Sequence, residues 1–234
     1  MSDIPILNRN GELMVLPETR LQVLRSRFKG SVLRVADDGY DAARKVWNGL
    51  IDRRPALIAR CAGKEDVVAA VDFARDNNLH LSIRSGGHNV SGAAVADRGF
   101  MIDLTPMSRV TVDKENRSAW VEGGALLGDI DRETHKFNLS VPLGVVSQTG
   151  VAGLTLHGGI GWQVRKHGLS IDSLNAVEIV AADGRVLRAS DQENSDLFWA
   201  VRGGGGNFGV VTGFEFRLHE SAREVCMAAP VYPL

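Results

Sequence analysis

The sequence predicts a fold of mixed helices and strands, α+β or α/β. Three observations point there: helical and β-rich stretches alternate along all 234 residues, residues 55–84 read as a strand–helix–strand unit, and two hairpins follow it. In order, Leu21, Leu24 and Phe28 predict a short helix within a polar lead, and residues 30–34 a brief strand. Residues 40–48 place Ala43, Val46 and Trp47 at helical spacing. Residues 55–60 form a compact strand. Residues 64–77 form a helix with Val67, Val71 and Ala74 as its apolar stripe, and Glu65 and Asp66 in the first turn, where the helix dipole favours them. Residues 80–84 are the strand that completes the unit.

Residues 100–104 give another strand. Residues 110–112 and 119–121 flank a polar turn as a hairpin. A helix over 126–138 turns Asp129, Asp131, Arg132 and Glu133 to water. Residues 176–181 and 185–188 pair across Asp183-Gly184, a favoured turn dipeptide. A short helix over 196–201 and a closing strand over 209–218 complete the pattern.

The totals exclude several function classes. A net charge of −1 without long charged runs argues against a nucleic-acid footprint and a polybasic membrane patch. No apolar run approaches the ~18 residues that span a bilayer. The first residues lack a signal-peptide pattern, so a cytoplasmic location is expected. Cys61 and Cys226 fit no metal or redox spacing and read as reduced thiols. A metal site is not expected. His80, His135, His167 and His219 read as surface residues, His157 as a structural one, and Trp120, Trp162 and Trp199 as core.

Glycine is the unusual total, at 26 residues gathered into separate short stretches. Such grouping suggests backbone approaching a ligand, not a linker. The first stretch is Arg84-Ser85-Gly86-Gly87-His88-Asn89, behind a strand. Its N–H groups suit phosphate oxygens, although a tight turn with a surface histidine fits the same six residues. The second runs from Gly150 to Gly161, with small residues at 150, 152 and 153 that let a helix start lie against a cofactor. No lysine follows it, which removes a Walker A reading. The third, Gly203 to Gly209, contains a formal G-x-G-x-x-G. A dinucleotide fingerprint needs a strand before it and a helix after it. Here the order is helix, glycines, strand, so the Rossmann reading fails.

Taken in order, Arg-Ser-Gly-Gly-His, Gly-Val-Ala-Gly with Gly-Gly-Ile-Gly-Trp, and Arg-Gly-Gly-Gly-Gly-Asn-Phe-Gly resemble the flavin-binding half of FAD-linked oxidases. The family is the vanillyl-alcohol oxidase (PCMH-type) superfamily, in its berberine-bridge-enzyme-like branch. The resemblance implies an α+β, two-lobed FAD-binding domain: a lead-in over 1–50, a flavin domain over 51–220 with subdomains of about 51–112 and 113–220, and a linker from 221 to 234. It implies FAD contacts from Ile83, Arg84, Ser85, Gly86, Gly87, His88 and Asn89. It extends them to Val146, Gly150, Val151, Ala152, Gly153, Leu154, Ile160, Gly206 and Val211. His88 matches the position bonded to the flavin 8α-carbon; a neutral imidazole nitrogen is the nucleophile such a bond needs.

Departures from the pattern matter too. Val146 stands where many relatives carry a second flavin-linking cysteine, so a single link through His88 is expected. Leu154 replaces a histidine of some relatives. Thr149 falls where a small residue is thought to admit oxygen. Relatives are about twice as long, and their second half supplies the substrate domain and its base; no residue here matches that base. The expected activity is hydride transfer from an alcohol, sugar or secondary-metabolite carbon to flavin, with reoxidation by O2. The alternatives are a dehydrogenase with another acceptor and a non-catalytic FAD module serving a partner chain. A small-molecule substrate would then be met through a missing C-terminal domain or that partner, and the face left bare would be apolar.

Overall fold

A computed structural model describes residues 3–221, 224, 226 and 228–232. The chain opens with an antiparallel hairpin of β1 (Ile4–Leu7) and β2 (Leu13–Leu16). Its turn is held by the Asn8 side-chain oxygen, which accepts the N–H groups of Asn10 and Glu12. Ile4, Ile6 and Leu16 point inward, and α1 (Glu18–Arg27) adds Leu21 and Leu24 to the same core. β3 (Ser31–Arg34) follows. The expected helical lead-in over 1–50 is therefore corrected: besides the expected β3 it carries β1 and β2, four-residue runs too short to show a period-two pattern.

The helix expected over 40–48 stops early, as α2 (Tyr40–Arg44). Continued through Trp47, it would need a bond from the Trp47 N–H to the Ala43 carbonyl. Instead, an Arg84 guanidinium N–H donates to that carbonyl at 2.6 Å, and the Trp47 N–H donates to the Gly87 carbonyl at 3.0 Å. Tertiary partners thus unwind residues 45–48 and carry Trp47 away from the helix.

β4 (Leu57–Arg60), α3 (Lys64–Asp76) and β5 (Leu81–Arg84) form the anticipated strand–helix–strand unit. β6 (Phe100–Asp103) then inserts between the two strands, parallel to both, and β3 joins β4 antiparallel, giving the order β3-β4-β6-β5. β4 and β6 are covered on both faces, which accounts for their unbroken apolar runs. Val67, Ala70, Val71, Phe73 and Ala74 of α3 seal one side. The buried Asp66 carboxylate at its start accepts the N–H groups of Lys29, Gly30 and Ala62.

The second lobe contains β7 (Val110–Asp113), β8 (Ser118–Glu122), α4 (Leu127–His135), β9 (Leu139–Ser140), α5 (Val151–Thr155) and α6 (Val164–His167). It continues with β10 (Leu174–Val180), β11 (Val186–Ser190), α7 (Ser195–Val201), β12 (Val210–Arg217) and β13 (His219–Glu220). Five of these strands make an antiparallel sheet in the order β11-β10-β12-β8-β7. β12, expected to close the fold, lies inside the sheet. There the Trp120 ring of β8 lies over Gly213, where any side chain would collide with it.

Each lobe has its own core, and two residues of the second sheet, Val180 and Val210, pack into the first. Across the same seam Lys64 Nζ lies 2.8 Å from Glu178 Oε2, and the Thr212 hydroxyl donates to Glu178 Oε1 at 2.8 Å. The linker expected over 221–234 falls partly outside the described residues. Among those described, no helix is long and apolar enough to cross a membrane.

Candidate functional site

The first and second glycine stretches, 64 residues apart at Gly86 and Gly150, cross with their backbones in contact. A Cβ on Gly86 would sit 2.5 Å from Gly150 Cα and 3.1 Å from the Thr149 carbonyl carbon; one on Gly150 would sit 2.6 Å from Ser85 Oγ. Only glycine lets two main chains approach so closely. The crossing is braced from below by the Ser85 hydroxyl, which donates to the Gly123 carbonyl at 2.7 Å. Gly123 in turn donates to Thr212 O in β12. Gly87 has φ of +71°, so the turn doubles back. The N–H groups of Gly86, Gly87 and His88 donate to no protein acceptor among the described residues.

Beneath this turn Arg84 is not aimed at solvent. Its guanidinium donates to Ala43 O and lies 3.8 Å from the carboxylate of Asp103, which is fully buried. Asp103 also takes Arg60 Nε at 3.2 Å and the Thr105 hydroxyl and N–H. Burial holds the Arg84 guanidinium below its ordinary pKa, with the Asp103 charge opposing that shift. Its Nε is buried without a partner and would lie 3.2 Å from a Cβ on Gly87.

His88 emerges beside the crossing. The Trp47 ring stacks on it, with centroids 5.4 Å apart and planes 21° apart. Its Nδ1 lies 3.4 Å from the Thr149 hydroxyl. Burial pushes the imidazole below its usual pKa, which favours the neutral, nucleophilic form at neutral pH. Asn89 is exposed, and its side-chain oxygen accepts the Ser91 hydroxyl and the Ala93 N–H, shaping the next turn.

In the second stretch Gly150 begins α5, and the Val151 N–H donates to Ala125 O. Val151 and Val211 have side chains in the second core, so they can offer a ligand only main-chain atoms. Ala152 is buried with them, while Gly153 faces open space. Leu154 packs against Gly144 and Gly159. Ile83 is half-buried on the first core. Val146 accepts the Thr149 N–H and leaves its own side chain exposed, as Ile160 does at 70%.

The third stretch attaches to the second through Leu156 O, which accepts the N–H groups of Gly203 and Gly205, and through His157. Its Nδ1–H donates to Gly153 O at 2.8 Å, and its ring occupies the space beside Gly205, whose N–H donates to Leu156 O. Gly206 makes no contact with the Gly86–Gly150 crossing among the described residues. As read from sequence, α7 precedes these glycines and β12 follows them.

These features suit an extended dinucleotide cofactor: a main-chain crossing that glycine alone permits, free N–H groups above an unpartnered arginine nitrogen, and beside them an imidazole whose neutral form burial favours. Sequence reasoning missed Asp103, Gly123 and the placement of Trp47 at this site. Only the charged residue closing an apolar strand, Asp103, gave a signal. Two further expectations need correction. Trp162 and Trp199 are 83% and 75% exposed, not core, because the second core is closed by smaller side chains. His167 and His219 are half-buried and stack at 3.9 Å, with Ser173 Oγ 2.8 Å from His219 Nε2. Fifty-two residues of sequence separate that pair.

Residues 55–190 match the family model described as FAD binding domain. The chain is 42% identical over 198 residues to (R)-6-hydroxynicotine oxidase of Paenarthrobacter nicotinovorans, covering 85% of this chain and 43% of that protein. It superposes on the crystal structure of 6-hydroxy-D-nicotine oxidase from Arthrobacter nicotinovorans with a TM-score of 0.81 at 42% identity, covering 82% of this chain and 43% of that one. A glucooligosaccharide oxidase from Acremonium strictum, described with a 6-S-cysteinyl, 8α-N1-histidyl FAD, gives a TM-score of 0.81 at 34% identity over 86% of this chain and 42% of that one. The chain thus spans less than half the length of these relatives.

Proposed function

The chain belongs to the FAD-binding-domain family of FAD-linked oxidases, and on that premise we propose that it holds the flavin of an FAD-dependent oxidoreductase acting on a small molecule. The reading is carried by the Gly86–Gly150 crossing with a desolvated His88 at its edge. The free N–H groups of Gly86 and Gly87, with Arg84 Nε behind them, would take the pyrophosphate oxygens. When bound, FAD supplies the two-electron acceptor for a hydride from an alcohol, sugar or related carbon. The chain's own part is to bind that cofactor, orient it and shield its edge.

In this reading His88 carries the only covalent link. Val146 offers no sulfur, and Cys61 is buried in the first core with its thiol pushed up by burial. For that link His88 would supply a neutral ring nitrogen as nucleophile and give up its N–H proton, while bound FAD, reoxidised by dioxygen, would supply the two-electron oxidation that the bond requires.

Substrate handling falls to further polypeptide. Tyr40 is buried with its hydroxyl donating to Pro55 O, which rules it out as a base for substrate. Trp47, Leu50, Val90, Val146, Ile160 and Trp162 stand exposed instead of packed. This favours a second reading, an FAD carrier that turns over only when a substrate lobe is supplied, in cis or by a partner chain.

The test is acid precipitation of the purified yellow protein. Flavin retained in the pellet by the wild type and lost from it in His88→Ala supports the link. Full release of flavin by the wild type refutes the link while leaving FAD binding standing. Colourless protein that ignores added FAD refutes the reading as a whole for this chain.

A further inference from the structure

We propose that Trp47 is a positioning residue for His88, fixing the plane of the imidazole so that one ring nitrogen faces the flavin edge. The inference rests on the reading of His88 as the attachment residue. Trp47 lies outside the matched residues 55–190 and in a segment expected to be a mere lead-in. The structure nevertheless binds that segment to the histidine loop at four places. Arg84 takes the Ala43 carbonyl, Val46 Cγ1 lies 3.4 Å from where a Gly87 Cβ would be, the Trp47 N–H donates to Gly87 O, and Asn48 Nδ2 donates to Val90 O at 2.8 Å. These contacts bracket His88 on both sides in sequence.

The cost of this arrangement is visible. The helix stops at residue 44 for it, and Trp47 is left 65% exposed, with the His88 stack as its only aromatic contact among the described residues. A large apolar ring held at the surface by backbone bonds contributes little to the core. Its geometry serves the imidazole instead. Trp47 covers one face of the ring, and the Thr149 hydroxyl meets its Nδ1 edge, so the two restraints on the imidazole come from residues 102 positions apart. A histidine free to turn about χ1 and χ2 would reach the attack geometry in only a fraction of its rotamers.

The experiment uses the full chain, expressed under riboflavin limitation and then given FAD. Trp47→Ala should lower the first-order rate of covalent attachment at saturating FAD by roughly tenfold, the order expected for sub-ångström to ångström misplacement of a reacting group. FAD affinity, read by quenching of flavin fluorescence, should stay within about twofold, because that change is small beside the tenfold loss. Trp47→Phe, which keeps a stacking ring, should restore most of the rate. NMR of the flavin-free chain supplies a second readout: the His88 ring protons should show an upfield ring-current shift that Trp47→Ala abolishes.

An unchanged attachment rate in Trp47→Ala, or a loss of FAD affinity equal to the loss of rate, overturns the inference. So does a His88 spectrum that ignores the substitution. If the wild type never binds flavin covalently, the link reading fails, and the NMR comparison still decides whether Trp47 sets His88.

Discussion

Gly86→Ala tests the site at its narrowest point. The new methyl would lie 2.5 Å from Gly150 Cα and 3.1 Å from the Thr149 carbonyl carbon. Ordinary carbon–carbon contact begins near 3.5 Å, so one of the two strands must retreat by about 1 Å. Neither can do so freely: Ser85 is tied to Gly123, and Thr149 is tied through its carbonyl to the Leu127 N–H. Overpacking of this kind costs about 1–3 kcal/mol. For a domain of this size that is a fall in Tm of roughly 2–12 °C. A cradle opened by ~1 Å should also weaken FAD binding, by on the order of a hundredfold if the loss resembles that of a misplaced catalytic group. Thermal unfolding of the apo protein and fluorescence titration with FAD measure the two effects separately. Gly49→Ala is the control, since its methyl would meet nothing within 4 Å and its φ is not positive. If Gly86→Ala melts and binds FAD as Gly49→Ala does, the crossing does not shape the cofactor site and the argument built on it fails.

Two further predictions concern charge. Asp103→Ala leaves the buried Arg84 guanidinium without its counter-ion and should destabilise the chain by about 3–5 kcal/mol in urea unfolding, the usual cost of breaking a buried pair; a loss below ~1 kcal/mol, the worth of an exposed pair, would refute that role. Burial holds His167 and His219 below the ordinary imidazole pKa, and the neighbouring Lys166 and Arg217 add to it. The unfolded chain therefore takes up these protons near pH 6.5, before the folded one does. Stability is then full above that pH and falls as the pH drops through it. Urea midpoints should decline from about pH 7.5 to about pH 5, and His219→Gln should flatten the decline; parallel curves for the two proteins would count against it.

What could be read in the sequence was whatever leaves a local trace. The strand–helix–strand unit was legible because Val67, Val71 and Ala74 repeat at helical spacing between two apolar runs. The three glycine stretches were legible because glycine has no other reason to cluster there, and the helix-then-strand context of the third removed the dinucleotide fingerprint. Which stretches touch left no such trace. Nothing local says that Gly86 meets Gly150, or that the third stretch reaches the second through Leu156 and His157. Residues 45–48 show the same limit in reverse: their helical spacing is real, but Arg84 and Gly87 compete successfully for the bonds that would have extended the helix. Trp162 and Trp199 were misread because residue type states a preference for burial, and the face on which a residue lands decides whether it is met.

The two valines that cross the seam constrain the order in which the molecule is assembled. The first core includes Val180 and Val210 beside strands drawn from residues 31–103. A nascent chain leaving the ribosome therefore lacks part of that core until residue 210 has emerged, even though its first sheet is complete in sequence a hundred residues earlier. Gly86 must likewise wait for Gly150. Such long-range closures slow folding and keep apolar surface open during synthesis. Cofactor capture is accordingly a late event, possible only once nearly all of the second sheet has been made.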